Sequence, residues 1–198
     1  MEKEQRSGYK LERDHMRVIA GRARSLKLKT PSGRDTRPTT DRIKETLFNM
    51  IQGDIPDSIF VDLFAGSGGI GIEALSRGAK YAYFVDNGRE AAACIQENLS
   101  FTKFTEKATL LKQDVFTALP IIHEKEVDII FMDPPYMSGL ERDLLEALSR
   151  QTYVTGNTLL IMEAKIDTDF EFTEEFGFTV VREKKYKTNK HVFLERTL

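Results

Sequence analysis

The 198-residue sequence has a single cysteine, Cys94, and only three histidines, which are scattered along the chain. One cysteine excludes a disulfide framework and a cysteine-rich zinc site. Histidines without a partner at ligand spacing predict that the protein binds no metal. No apolar run approaches the ~20 residues of a membrane-spanning helix, and the polar start at residues 1–6 lacks an apolar signal core. We therefore expect a cytoplasmic protein that contacts no membrane.

Hydrophobic residues make up 40% of the chain and charged residues 30%, which excludes an intrinsically disordered protein. At ~150 residues per domain, the length predicts one domain with a modest extension. We expect a polar leader over 1–15, either disordered or vector-derived, and a basic hairpin-and-helix extension over 16–52. The main domain then spans 53–198.

The net charge of −2 conceals an uneven distribution, because residues 1–50 carry +6 and the remainder −8. A basic arm beside an acidic body favours a polyanionic partner such as nucleic acid. A solvated basic face would have the same composition, so charge alone leaves both interpretations open. The candidate phosphate contacts lie near the two ends of the chain: Arg22, Arg24, Lys27, Lys29, Arg34, Lys184, Lys185 and Lys187.

From residue 59 onward, apolar strand-length runs alternate with helical stretches. This alternation predicts an α/β fold with a mostly parallel sheet covered on both faces. The last two runs are close enough for a hairpin, so we expect an antiparallel edge strand. The predicted strands span 59–64, 81–85, 108–111, 127–132, 158–162, 178–181 and 191–194, and the predicted helices 70–76, 90–99, 116–119 and 140–148.

A glycine-rich loop follows the first of these strands and opens a helix. Gly66, Gly68 and Gly71 satisfy the pattern G-x-G-x-x-G in the strand–loop–helix context that makes it meaningful. Asp86 ends the next strand, where a carboxylate can accept hydrogen bonds from both hydroxyls of a ribose. The loop therefore predicts a nucleotide site. The alternative is a glycine turn that serves only helix–strand packing.

The acidic residue Asp62, just before this loop, bears on which nucleotide is bound. It suits a ligand with an amino group and a sulfonium better than one with two phosphates, which favours S-adenosylmethionine. Asp114, followed by apolar Val115, stands where it can hydrogen-bond an adenine amino group, cap the next helix, or do both. An NAD-dependent oxidoreductase is the alternative from another functional class.

The most specific motif, Asp133-Pro134-Pro135-Tyr136, directly follows the fourth strand. Two prolines fix φ and remove two amide donors, which leaves a stiff loop with free acceptors. The Asp133 carboxylate and the Pro134 carbonyl can each accept one N–H of a planar amino group, while Tyr136 stacks on its ring. The nitrogen lone pair then faces a methyl group, and Asp133 stabilises the developing positive charge. A tight turn without chemistry is the alternative.

Together these segments resemble the class I S-adenosylmethionine-dependent methyltransferases. The best match among them is the bacterial family that methylates guanine N2 of small-subunit (16S) ribosomal RNA, the RsmD family. The resemblance covers nearly all of residues 16–194 and implies a Rossmann-like fold, a seven-stranded sheet, and an N-terminal β-hairpin and helix. Five segments carry it, at residues 16–21, 36–42, 62–68, 73–79 and 133–136.

The resemblance also implies a substrate and a role for each motif. Residues 133–136 would receive the target guanine, and the product would be N2-methylguanine at position 966 of the RNA. The substrate would be the assembled or assembling small subunit, and we expect the protein to be a monomer. The implied cofactor-binding residues are Arg37, Thr39, Asp62, Phe64, Ala65, Gly66, Ser67, Gly68, Gly71, Asp86, Asp114 and Val115.

Two short segments depart from this family. Lys187-Thr188-Asn189-Lys190 follows Tyr186, where the family tends to have Gly and then, one residue on, Thr. Asn87-Gly88 after Asp86 is also unusual. The first departure bears on the RNA contacts of the carboxyl-terminal segment, and the second on the adenosine side of the pocket.

Two rival functions share part of this pattern. A DNA adenine-N6 methyltransferase has the same Asp-Pro-Pro-Tyr motif, but it normally needs an inserted recognition segment, for which residues 133–157 leave little room. A non-catalytic RNA-binding or assembly factor would have no use for an intact Asp133.

Overall fold

The computed structural model describes residues 16–31, 41–135 and 139–197, and its centre is a seven-stranded sheet. The strands are β1 (Ile59–Leu63), β2 (Tyr81–Val85), β3 (Ala108–Leu111), β4 (Ile129–Met132), β5 (Leu159–Lys165), β6 (Phe178–Lys185) and β7 (Asn189–Arg196). They lie in the order β3-β2-β1-β4-β5-β7-β6. The first five are parallel, and β7 pairs antiparallel with both β5 and β6.

The helices of the described residues precede the sheet or connect its strands. None of them is long and apolar enough to cross a membrane. They are α1 (Asp41–Met50), α2 (Gly69–Ser76), α3 (Arg89–Thr102), α4 (Val115–Ala118) and α5 (Leu140–Ser149), with short 3₁₀ turns at Thr105–Lys107, Leu119–Ile121 and Glu171–Phe176.

Both faces of the sheet are covered. On β1, Phe60 belongs to a core with Leu47 of α1 and Ile72 of α2, whereas its neighbour Val61 belongs to a second core with Leu144 of α5. Because successive side chains of a strand point to opposite faces, strands covered on both sides are apolar throughout. The α/β fold with a mostly parallel sheet is therefore confirmed.

The strand order reverses between β1 and β4. The chain passes from β1 to β2 and β3 on one side, and it returns to β4 on the other side of β1. In open α/β sheets, ligands bind in the crevice at the carboxyl ends of the strands where such a reversal occurs. The topology therefore brings the glycine loop after β1 and the Asp-Pro-Pro turn after β4 to one edge.

The predicted hairpin at the end of the chain is confirmed, but the strand that reverses direction is not the outermost one. β7 lies between β5 and β6, and the edge strand is β6. The side chains of β7 are buried from Asn189 to Leu194, whereas most of those on β6 are exposed. A strand that is buried on both faces belongs inside the sheet, and a strongly charged strand is suited to its edge.

The amino-terminal hairpin predicted over residues 16–30 forms with a single antiparallel bridge, between Arg17 and Lys27, and without regular strands. The reason lies in the partners of its backbone. The Ile19 and Ala20 amides donate to the Glu73 carboxylate at 2.8 and 3.0 Å, so they are not available to a strand partner. The segment thus pairs with itself only from Met16 to Leu28, through backbone hydrogen bonds such as Val18 N–H to Leu26 O at 3.0 Å, and its turn docks on α2.

Glu73 is the centre of this docking site. It is fully buried, and besides the two amides it accepts from Arg77 Nε at 2.8 Å and lies 3.4 Å from Lys44 Nζ. Lys44 is also fully buried, and this burial lowers its pKa. One carboxylate therefore ties α1 and the amino-terminal segment to the helix that follows the glycine loop.

Candidate active site at the carboxyl ends of the strands

The glycine loop runs from Phe64 to Gly68, between β1 and α2, and is held against β2. The Ala65 amide donates to the Val85 carbonyl at 2.9 Å, and Phe64 adopts a positive φ of 64°. A non-glycine residue in this region is strained, and such strain is concentrated at functional sites.

The glycines of the motif differ in what surrounds them. A Cβ at Gly71 would stand 2.4 Å from Phe84 Cε1, so this position is glycine because α2 packs closely on β2. Gly66 has a φ of 58°, and a Cβ there would meet nothing within 4 Å. Helix–strand packing therefore explains the glycine at position 71 but not the one at position 66. Gly66 borders open space, as expected for a backbone that faces a ligand.

Asp62 lies in β1 with 2% of its surface exposed, and its Oδ2 accepts the Gly71 amide N–H at 2.9 Å. Burial raises the pKa of this carboxyl to about 7, and the negative charge of Asp86 adds to the rise. A cationic group beside Asp62 would stabilise its ionised form. The site therefore fits a ligand with an ammonium group and disfavours a pyrophosphate.

Asp86 follows β2 directly, and its carboxylate is fixed by two backbone amides. Oδ2 accepts from the Gly66 amide at 2.8 Å, and Oδ1 accepts from the Gly88 amide at 2.7 Å. Each carboxylate oxygen still has a lone pair for a further donor. Asp86 is thus oriented at the rim of the glycine loop, where a ribose would lie, and the unusual Gly88 takes part in that orientation.

Asp114 caps α4, because its Oδ1 accepts the Phe116 amide N–H at 2.9 Å. The helix-cap alternative is therefore correct, and the carboxylate also remains exposed to a second donor. Val115 beside it is buried, and Phe116 is 38% exposed. Among the described residues, the Nε2 atom of Gln113 is a buried polar atom without a hydrogen-bond partner, directly before this cap.

The Asp-Pro-Pro turn continues from β4. Asp133 is half-buried, Pro134 is buried and Pro135 is exposed. Burial, followed by the negative charges of Glu163 and Asp62, raises the pKa of Asp133 well above its usual range. Asp133 and Asp62 are thus close enough to interact, as expected for residues at one edge of the sheet.

Glu163 of β5 is a further carboxylate at this edge, and the sequence reasoning did not identify it. Met132 pairs with Met162 in the β4–β5 register, so Glu163 stands beside Asp133 on the neighbouring strand. Only 4% of its surface is exposed. The signal in the sequence is one acidic residue within the apolar run Leu159–Ala164.

Two side chains of β7 bind the Glu163 carboxylate. Asn189 Nδ2 donates to Oε1 at 2.6 Å, and His191 Nε2 lies 3.1 Å from Oε2. The other ring nitrogen of His191, Nδ1, lies 3.2 Å from the Tyr186 hydroxyl. The segment that departs from the family pattern therefore supplies Asn189 to this buried network.

A group of basic residues lies at the end of β6 and in the β6–β7 turn. Lys165 pairs with Asn189, so the turn stands at the carboxyl edge of the parallel strands, beside the end of β5. Lys184, Lys185 and Lys187 are exposed there. The structure therefore brings three of the predicted phosphate contacts to the edge that holds Asp133.

The basic residues of the amino-terminal segment lie beside both ends of α2. The Lys29 amide donates to Asn98 Oδ1, and Asn98 donates to the Ser67 carbonyl, so Lys29 lies near the glycine loop. The Arg22 amide instead donates to the carbonyl of Ser76, the last residue of α2. Arg22 and its neighbour Arg24 are therefore about 12 Å, one length of this helix, from the loop.

The remaining predicted residues divide into two groups. Ala65 and Ser67 are buried in the loop, where the Ser67 hydroxyl donates to Met16 Sδ at 3.1 Å. Lys27 is exposed beside its bridge to Arg17. The predictions for Arg34, Arg37, Thr39 and Tyr136 lie outside the described residues.

Comparisons with known proteins decide the family. The family profile described as "Conserved hypothetical protein 95" matches residues 16–195. Ribosomal RNA small subunit methyltransferase D of Haemophilus influenzae is 34% identical over 85% of this chain and 88% of its own length. The Escherichia coli K12 protein of the same name is 33% identical over 85% of this chain and 84% of its own length. The chain belongs to this methyltransferase D family.

A solved structure supports the same assignment. The Escherichia coli protein yhhF matches with a TM-score of 0.77 and 30% identity, covering 92% of this chain and 98% of that chain. The resemblance to the methyltransferase D family and its Rossmann-like class I fold are thereby confirmed. In this fold the carboxyl edge described above is the site where a nucleotide ligand is expected.

Proposed function

We propose that this protein transfers a methyl group from S-adenosylmethionine to the exocyclic N2 of a guanine in small-subunit ribosomal RNA. The observation that carries the proposal is the meeting, at one edge of the sheet, of the glycine loop with Asp86 and the Asp133–Pro135 turn. Relatives named for methylation of small-subunit ribosomal RNA, at 33–34% identity, point to the same substrate class.

Residues in β1 and in the segments that directly follow β1, β2 and β3 would hold the cofactor. The acidic Asp62 suits the amino group of its methionine part, Gly66 leaves room for the ligand, and Asp86 presents acceptors for the ribose hydroxyls. Asp114 and buried Val115 would border the adenine. A dinucleotide would instead place its pyrophosphate among these carboxylates, which disfavours an NAD-dependent oxidoreductase.

The Asp133 turn would orient the target amine. When bound, S-adenosylmethionine supplies an electrophilic methyl group on a sulfonium sulfur. Asp133 accepts one N–H of guanine N2 and the Pro134 carbonyl accepts the other, which directs the nitrogen lone pair at the methyl carbon. Asp133 stabilises the positive charge that forms on N2 and accepts the proton that N2 then loses. Its raised pKa makes Asp133 a better acceptor for that proton.

The basic turn between β6 and β7 would bind RNA phosphates on the same side. A stacked base cannot reach the carboxyl edge, so the target must be unstacked at a cost of a few kcal/mol, and a loop nucleotide such as guanine 966 already meets this need. We propose that the assembled or assembling small subunit is the substrate and that a monomer acts on it.

Methyl transfer from radiolabelled S-adenosylmethionine to three substrates tests this function. Purified small subunits, free 16S ribosomal RNA and duplex DNA are compared at equal nucleotide concentration. We expect label in the small subunits, less in free RNA and none in DNA. Label in DNA alone would instead support the adenine-N6 alternative, and no label in any substrate would support a non-catalytic binding factor.

Calorimetry tests the cofactor independently of the substrate. S-adenosylhomocysteine, the product of the cofactor, is titrated into the free protein, and NAD is titrated in parallel. We expect binding of S-adenosylhomocysteine and none of NAD at the same concentration. Preferential binding of NAD would end the methyltransferase proposal.

A further inference from the structure

The buried network behind Asp133 has no part in the function as proposed above. Glu163, His191 and Asn189 are all buried, and they come from two antiparallel strands that pair directly. Burying a carboxylate is costly, and proteins retain one where it is bound by donors or used.

The network fixes one arrangement of donors. Burial and the charge of Glu163 raise the pKa of the Tyr186 hydroxyl to about 12, so Tyr186 keeps its proton and can donate a hydrogen bond to His191 Nδ1. A carboxylate can only accept, so the Nε2 atom of His191 carries a proton and donates to Glu163. With Asn189 on the other oxygen, both oxygens of Glu163 accept N–H donors.

The ring of His191 is also held in place from both sides. It packs edge-on against Phe131 of β4, with ring centroids 6.0 Å apart, and against Tyr186 at 5.1 Å. Because its rotation is restricted, the donor to Glu163 is pre-oriented. Hydrogen bonds to a carboxylate stabilise its ionised form.

We propose that Glu163, held ionised by His191 and Asn189, is a positioning residue whose charge makes Asp133 the carboxylate of this pair that takes up a proton. The inference rests on the proposed function and deepens it. Two neighbouring carboxylates resist being ionised together, and the one with fewer donors is protonated first. Asp133 thereby becomes basic enough to accept the N2 proton after methyl transfer, while Glu163 does not touch the substrate.

Further charged groups lie around this pair of carboxylates. Asp62 of β1 also raises the pKa of Asp133, and Asp86 acts on Asp62. Lys190 of β7 binds Glu183 of β6 at 2.6 Å. In the described part of the chain, Glu163 is the first of the charges that raise the pKa of Asp133.

The pH dependence of methyl transfer tests the proposal. The isosteric variant Glu163→Gln removes the charge, so the pKa of Asp133 falls and activity persists to lower pH. We expect the acidic limb of kcat/KM to move down by about one pH unit, with unchanged affinity for S-adenosylhomocysteine. The matched control Glu183→Gln changes a carboxylate on the same sheet and should leave the limb in place. A reduced rate with an unmoved limb in Glu163→Gln would show a merely structural role and overturn the proposal.

A second measurement needs neither activity nor a folded Glu163 variant. Aspartate carboxyl carbons are labelled with ¹³C and titrated by NMR in the wild-type protein, and Asp133→Asn identifies the Asp133 signal. We expect this signal to titrate well above the usual carboxyl range. Titration near the ordinary aspartate value would overturn the inference even if methyl transfer were established. An elevated titration in a protein without transferase activity would leave the carboxylate pairing intact and reject only the proposed reaction.

Discussion

At the scale of single residues, the proposed chemistry depends on Asp133. It combines a position directly after β4, a half-buried carboxylate and two neighbouring negative charges. These features raise the pKa of Asp133. A higher pKa makes Asp133 a better proton acceptor, but it also narrows the pH range in which the carboxyl is ionised.

Removal of the Asp133 carboxylate should separate binding from turnover. We expect Asp133→Ala to bind S-adenosylhomocysteine with near wild-type affinity, because the glycine loop and Asp86 are untouched. The rate of methyl transfer should fall by about 10²- to 10³-fold, the usual loss when an electrostatic contact to the transition state is removed. Calorimetry and single-turnover transfer measure the two quantities. A near-normal rate would remove Asp133 from its role.

Asp62 should make cofactor binding pH-dependent. Its pKa is about 7 in the free protein, so it is protonated below that pH. An ammonium group on the ligand binds better to the ionised form, and the affinity for S-adenosylhomocysteine should therefore rise with pH up to about 7. We expect about tenfold weaker binding at pH 6 than at pH 8. Asp62→Asn keeps an acceptor for the Gly71 amide but should lose this dependence, whereas equal wild-type affinities at the two pH values would contradict the account.

At the scale of elements, α2 connects the glycine loop with the amino-terminal segment through Glu73. This docking holds Met16 against the loop, where its Sδ receives the Ser67 hydroxyl. A Cβ at Gly69 would stand 2.0 Å from the same sulfur, so the first residue of α2 leaves space for this side chain. The amino-terminal segment is thus part of the wall behind the loop.

The Glu73 contacts should be important for stability. Glu73→Gln replaces one of the two oxygens that accept the Ile19 and Ala20 amides by an NH2 group and removes the charge partner of buried Lys44. It should lower the free energy of unfolding by about 3 to 5 kcal/mol. Glu97→Gln is the matched control, because Glu97 pairs with Lys29 on the exposed surface. Its cost should be below about 1 kcal/mol. Urea unfolding followed by circular dichroism compares the two, and equal losses would contradict the central position of Glu73.

Element boundaries were largely predictable from the sequence, because a strand covered on both faces is an apolar run of its own length. Tyr81–Val85 and Ala108–Leu111 match the predicted strands without change. The amino-terminal hairpin forms as predicted but without regular strands, because the amides of Ile19 and Ala20 bind a side chain 53 or 54 residues away. No local pattern contains that information.

At the scale of the whole molecule, the site could be predicted only where motifs carry it. The glycine loop, Asp86 and the Asp133 turn follow strands in a fixed order, and the topology brings them together. Glu163 and His191 meet across the β5–β7 register, 28 residues apart, and only the strand pairing shows their contact. The position of Arg22 far from the loop likewise could not be predicted without knowing the direction in which α2 runs.

The charge distribution predicts different effects from the two basic regions. Replacement of Lys184, Lys185 and Lys187 by Gln should raise the Kd for small subunits and reduce the slope of its salt dependence by about one to three units. The control variant Arg22→Gln with Arg24→Gln should change both less, since these residues lie at the far end of α2. Filter binding at several salt concentrations measures both quantities. A larger effect of the Arg22 and Arg24 replacements than of the lysine replacements would contradict the proposed binding of RNA at the β6–β7 turn.

The central claim is that the Asp133 corner presents the N2 amine of a guanine to the methyl group of the cofactor. The most direct measurement is mass spectrometry of nucleosides after transfer of a deuterated methyl group to purified small subunits. The account predicts deuterated N2-methylguanosine as the product with the wild-type protein. Deuterium in N6-methyladenosine, or in a methylated ribose, would contradict it.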